Sequence, residues 1–168
     1  MVAGTLIILI CSLFVNAGAP LKLDEKIQDP NKVVMNTVIS SATAGLFTAL
    51  TYNYNNNLQD MQRRRTKNDD GGSMQNLYYF DIKHLCNAVL AGLVSVTSSS
   101  SNIELWAACL IGLIGSMIYT STKKLIVRAE IDDPLDISEV HGFCGIWSII
   151  ALGIFDMDKG VIYTGSLN

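Results

Sequence analysis

No Asp, Glu, Lys or Arg interrupts the chain between Met1 and Leu21, Val33 and Gln59, Leu85 and Ile103, or Leu105 and Thr122. An α-helix needs about 20 mostly apolar residues to cross the ~30 Å hydrocarbon core of a bilayer, and runs of this length meet or approach that requirement. A fifth run, Val140 to Phe155, is cut short by Asp156. It gains the missing length if its helix begins at Pro134 behind Asp133 as N-cap, giving about 22 residues and ~33 Å. Asp136 and Glu139 then lie near the start of that helix, where carboxylates complement the positive end of its dipole. The sequence therefore predicts an all-α fold, a polytopic transmembrane helix bundle of about five membrane-spanning helices in one domain over 1–168. Helices are expected near 2–20, 33–54, 82–97, 104–126 and 134–155, with a polar cytoplasmic loop over 55–76.

Composition agrees with lipid as the solvent. Only 16% of residues are charged against 49% hydrophobic, and the mean hydropathy is +0.32. A soluble domain carries roughly a quarter charged residues. The formal net charge of -3 and the short basic clusters exclude a nucleic-acid surface, and the apolar content excludes a disordered chain. Cys11, Cys86, Cys109 and Cys144 lie singly in apolar stretches, without the spacing of a zinc cage or a disulfide framework. No cofactor is expected.

Basic residues are retained on the cytoplasmic side of short loops. With the N-terminus inside, the inner loops hold Arg63, Arg64, Arg65, Lys67, Lys83, Lys123, Lys124 and Arg128, and the outer loops only Lys22, Lys26, Lys32 and Lys159. Ala17-Gly18-Ala19 resembles a signal-peptide cleavage site, but no Lys or Arg precedes the apolar run and Pro20 would follow the cut. A retained first helix is the favoured reading.

Small residues mark the faces where helices meet, because lipid tails give apolar side chains no reason to associate. Ala108, Gly112 and Ser116 recur at spacing four, as do Ala88 and Gly92, while Ser40, Ser41, Ala42, Ala44 and Gly45 crowd the second segment. His141 is different. An ionisable group at membrane depth is a functional hypothesis by default, and desolvation there predicts the neutral imidazole, able to donate and accept one hydrogen bond. Gly145 and Ser148 share its face at i+4 and i+7, leaving room beside the ring; a buried structural histidine is the alternative. His84, beside Lys83 at a helix start, is read as interfacial and without chemistry. The acidic group Asp132, Asp133, Asp136 and Glu139 is read as helix capping rather than a cation site, with Asp136 also placed to bond backbone amides where helices converge at the inner face.

Taken in order, these segments resemble the ammonium transporter family (Amt/Mep/Rh). Ile131-Asp132-Asp133-Pro134-Leu135-Asp136 followed by Val140-His141-Gly142-Phe143-Cys144-Gly145-Ile146-Trp147 is similar to its D-D-P-x-D and V-H-G-x-x-G-I-W signature. Asn87 to Val94 with Val96-Thr97 resembles N-G-A-L-A-G-L-V-x-I-T, and Leu110 to Gly115 resembles L-I-I-G-L-I. Asn36-Thr37 and Asn16-Ala17-Gly18 match V-N-T and F-N-A-G-S. The resemblance implies a trimer whose subunits each have eleven helices and a narrow hydrophobic pore with two hydrogen-bonded histidines. The five helices here would be the sixth to tenth, with His141 as the second histidine and Thr97, Val15, Asn16 and Ala19 along the path. It also exposes departures: Val15 stands where the family has a gating Phe, with Phe14 adjacent, and Ala19 where it has a solute-binding Ser. The first pore histidine has no counterpart in this sequence.

The implied function is transport of ammonium or ammonia by a truncated or partial transporter, in a plasma membrane, within a homo- or heterotrimer with full-length relatives. A non-conducting interaction or regulatory subunit is the alternative. A membrane enzyme using His141, Cys144 and the acidic group is weaker, lacking a second thiol or a Ser-His-Asp arrangement.

Overall fold

The computed structural model describes residues 1–19, 29–66 and 82–164, and every regular element among them is helical. The helices are α1 (Val2–Gly18), α2 (Pro30–Thr66), α3 (Ile82–Val96), α4 (Leu105–Arg128), a π-helical segment (Ser138–Phe143) continuous with α5 (Cys144–Phe155), and the short α6 (Val161–Thr164). Pro30–Thr51, Leu105–Arg128 and Ser138–Phe155 are long and apolar enough to cross a membrane. The other two apolar helices, α1 and α3, have 17 and 15 residues.

The central contact joins α2, α3 and α4. Ser40 on α2 donates its hydroxyl proton to the Gly92 carbonyl of α3 at 2.7 Å. Its own carbonyl oxygen lies where a Cβ on Gly112 of α4 would be, and a Cβ on Gly92 would come 2.6 Å from that same oxygen. The two glycines therefore let three backbones meet at one serine, which is what small residues accomplish where no hydrophobic force brings helices together. Above and below this crossing, Val96, Ile103, Ala107, Ile111, Ala151 and Phe155 form one apolar cluster and Ala88, Ala91, Tyr119, Val140 and Cys144 another. Outside it, α1 buries only Thr5 and Asn16, leaving Leu6, Ile7 and Phe14 exposed.

Polar contacts gather at the two ends of the bundle. At one, Asn16 reaches Thr37 at 3.3 Å, Asn36 reaches the carbonyls of Ser100 and Ile103, and Asn102 reaches Asp156 at 3.1 Å. At the other, Lys83 and Lys123 meet Asp136. Helices that are successive in the chain thus run up and down.

Two expectations are corrected. The second helix does not stop near 54: it starts at Pro30, where Asp29 accepts the Asn31 amide at 3.0 Å, and continues to Thr66, so 55–66 is helix rather than loop. Leaving the apolar run does not end a helix, because its backbone bonds are internal and no Pro or Gly breaks the 52–66 segment. The rest of the expected loop, with Lys67, lies outside the described residues, as do Pro20, Lys22 and Lys26. The fifth helix does not start at Pro134. Pro134 and Leu135 form a turn, Asp136 has the left-handed φ of 56°, and regular winding begins beyond it. Asp133 still serves the helix from upstream, its two oxygens accepting the amides of Ile137 at 3.0 Å and Ser138 at 2.7 Å. These bonds to the anion hold its carboxyl at a pKa of about 2, below the usual 3.8.

Candidate functional site

A cleft of about 600 Å³ lies between α1, α3 and the π segment with α5. Its walls are mostly apolar, including Ile8, Leu90, Leu93 and Ile149, with a few polar groups converging among them. That is the usual make-up of a small-solute site. Four residues expected along a pore line it: His141, Thr97, Val15 and Asn16. Ala19 does not; it caps α1, its amide bonded to the Val15 carbonyl at 2.9 Å. Asp133, Pro134 and Asp136 lie outside the cleft, ahead of the helix that carries His141.

The orientation of His141 follows from what pins the opposite face of its helix. The Cys144 thiol points at the Gly115 carbonyl at 3.5 Å and the Trp147 indole donates to the Ile111 carbonyl at 3.2 Å. Both acceptors belong to α4. With Cys144 and Ala151 buried on that side, His141, Gly145 and Ser148 turn to the cleft. A Cβ added at Gly142 or Gly145 would meet nothing within 4 Å, so space remains around the ring.

The polar groups have defined duties. Thr97 donates to the Leu93 carbonyl of its own helix at 2.9 Å, which leaves lone pairs on its hydroxyl oxygen. Ser148 ties α5 to the end of α3, receiving the Ser98 amide at 3.0 Å and donating to the Ser98 hydroxyl at 3.0 Å. Asn16 uses its amide group on Thr37, which itself donates to the Val33 carbonyl. Cys11, unlike the buried Cys86 and Cys144, is exposed and lines the cleft.

At the Asp136 end of the bundle lies a cluster that sequence reasoning missed. The Asp136 carboxylate, 6% exposed, accepts Lys123 at 2.8 Å, Asn87 at 2.9 Å and Tyr119 at 3.0 Å on one oxygen, with Lys83 at 3.4 Å from the other. Burial pushes its pKa up, but these donors outweigh that, and the carboxyl titrates below its ordinary range. The partners are side chains, not the backbone amides expected. His84 joins through Tyr119, its Nδ1 3.0 Å from the phenol oxygen. Since the single phenol proton goes to Asp136, Nδ1–H of His84 is the donor. Among the described residues no group of three or more His, Cys, Asp or Glu is arranged to hold a metal ion.

The family model described as the Ammonium Transporter Family matches residues 73–167, which include the helix of His141, Thr97 and the whole Asp136 cluster. The chain belongs to this family. Ammonium transporter 1 member 3 of Solanum lycopersicum is 36% identical over 84 residues, 50% of this chain and 18% of that protein. Ammonium transporter 3 of Dictyostelium discoideum is 42% identical over 78 residues, 46% of this chain and 18% of that protein. The crystal structure of Saccharomyces cerevisiae Mep2 superposes with a TM-score of 0.70 at 23% identity, over 98% of this chain and 36% of that one. The match thus spans under a fifth of the curated relatives and about a third of the solved transporter, and the helices described above share their arrangement with part of that fold.

Proposed function

We propose that this chain takes part in moving ammonium or ammonia across a membrane, as a partial transporter whose path runs along the cleft of His141. The observation that carries this reading is the convergence of His141 from the π segment, Thr97 from the turn that follows α3, and Val15 and Asn16 from α1 on one largely apolar cleft. In its neutral form the imidazole offers one N–H donor and one N acceptor, enough to pass a small amine along a wall otherwise made of hydrocarbon. Apolar walls reject hydrated cations, and the lone pairs of Thr97 give ammonia a further acceptor.

The five apolar helices sit in the bilayer with the N-terminus on the cytoplasmic side, in a plasma membrane. The cleft is completed by further helices of a full-length relative within a trimer. Cells expressing the chain with such a relative should take up labelled methylammonium in a manner that His141→Ala alters, with a loss on the order of 10-fold or more in the part due to this chain. Uptake by the chain and relative that is indifferent to His141→Ala would defeat the reading.

A second reading, a non-conducting regulatory subunit, is favoured by Val15 and Ala19 standing where Phe and Ser are expected and by the broad apolar exposure of α1. It predicts that the chain lowers uptake by the relative whether or not His141 is present.

A further inference from the structure

We propose that Asp136 is a positioning residue for His141, holding the π-helical segment in the winding that turns the imidazole into the cleft. The proposal rests on the transport reading only for its consequence, not for its geometry. His141 makes no side-chain hydrogen bond among the described residues, and a Cβ on Gly142 or Gly145 beside it would meet nothing within 4 Å, so no polar partner fixes the ring and its direction follows from its backbone. That backbone is clamped at both ends. On the far side, Cys144 and Trp147 fix the start of α5 to α4 through the Gly115 and Ile111 carbonyls. On the near side, the Asp136 carboxylate is tied to α3 by Lys83 and Asn87 and to α4 by Tyr119 and Lys123, while its carbonyl accepts the Val140 amide at 3.2 Å.

Between these clamps the chain winds as Ser138–Phe143, a π segment. A π turn holds more residues than an α turn and is rarely stable unless its surroundings fix it, and such turns are found at functional sites. The near clamp itself includes strain, since Asp136 adopts a φ of 56°, a region non-glycine residues occupy when neighbouring contacts over-determine them. Releasing the carboxylate frees the segment to tighten toward α-helix, which rotates His141 relative to Cys144 and away from the cleft. The tie is electrostatic: one anion, 6% exposed, gathers two ammonium groups from different helices. Loss of its charge leaves both without their buried partner.

The test uses the full chain in membranes of the cells that express it, with diethyl pyrocarbonate as a water-soluble probe of the His141 ring. The modified fraction of the His141 peptide is followed by mass spectrometry, beside labelled methylammonium uptake. Asp136→Asn should slow modification of His141 on the order of 10-fold, with Lys123→Met slowing it less and Asp136→Glu returning it toward the native rate. His141 modification within about two-fold of native in both Asp136→Asn and Lys123→Met would overturn the proposal, as would a failure of Asp136→Glu to restore it. Should Asp136→Asn fail to reach the membrane, Lys123→Met, which keeps the carboxylate and its other donors, decides by the same criterion. If modification changes as expected while no form of the chain supports or alters uptake, the positioning role stands and the transport reading falls.

Discussion

Asp133 and Asp136 are three positions apart and of one chemical type, yet they do different work. Asp133 accepts two amides at the start of the π segment, and those bonds keep its pKa near 2. Because the folded value lies below the ordinary 3.8, its contribution is present above that value and is lost as the pH falls through about 2. The amide signals of Ile137 and Ser138, followed by NMR in detergent micelles, should therefore stay in place from neutral pH to about 4 and shift only in stronger acid. Asp136, also depressed, follows the same sign: its ion pairs persist above the ordinary carboxylate range and dissolve below it. The first of these duties is legible only in part: an acidic residue before a proline and an apolar run announces a local amide acceptor, but the winding it serves begins beyond Asp136 and not at Pro134. The second is not. Lys83 lies 53 positions away and Lys123 13, and both count simply as loop charges until folding brings them together. His84 reads as a lone interfacial residue for the same reason, its partner Tyr119 standing 35 positions off. His141 is conspicuous in the sequence because its surroundings in the chain are apolar, and the structure places it on the cleft.

At the level of elements, charge-free length predicted that five apolar helices exist but said less about where they end. α2 outruns its apolar stretch to Thr66, since membrane solubility and helix propensity are separate properties that share an average pattern. The π segment carries no signature in Ser138 to Phe143 and arises from what holds its two ends. The small-residue stripes were readable, and the structure makes them specific: Gly112 and Gly92 both face the Ser40 carbonyl. Gly112→Ala should force α2 and α4 apart and cost about 1–3 kcal/mol, read as a lowered thermal unfolding midpoint in detergent. Gly142→Ala, where a Cβ meets nothing within 4 Å, should move that midpoint far less.

For the whole molecule, the bundle buries its small-residue core and presents apolar helix faces outward, the inverse of a soluble domain. Its cysteines provide a direct check. Cys11 is exposed along the cleft, whereas Cys86 and Cys144 are buried. A small maleimide applied to the chain in membranes should label Cys11 on the order of 10-fold faster than either of the other two. Equal labelling of all three would mean that the helices are not packed as described.

One dimension has a mechanical meaning. The 37 residues of α2 extend roughly 55 Å at 1.5 Å each, against a hydrocarbon layer of ~30 Å. The helix is a mast stepped between two glycines, with the residues after Thr51, about two fifths of its length, beyond its apolar span. The part of that helix within the lipid carries Ser40, whose bond to the Gly92 carbonyl joins it to the helix that forms one wall of the cleft.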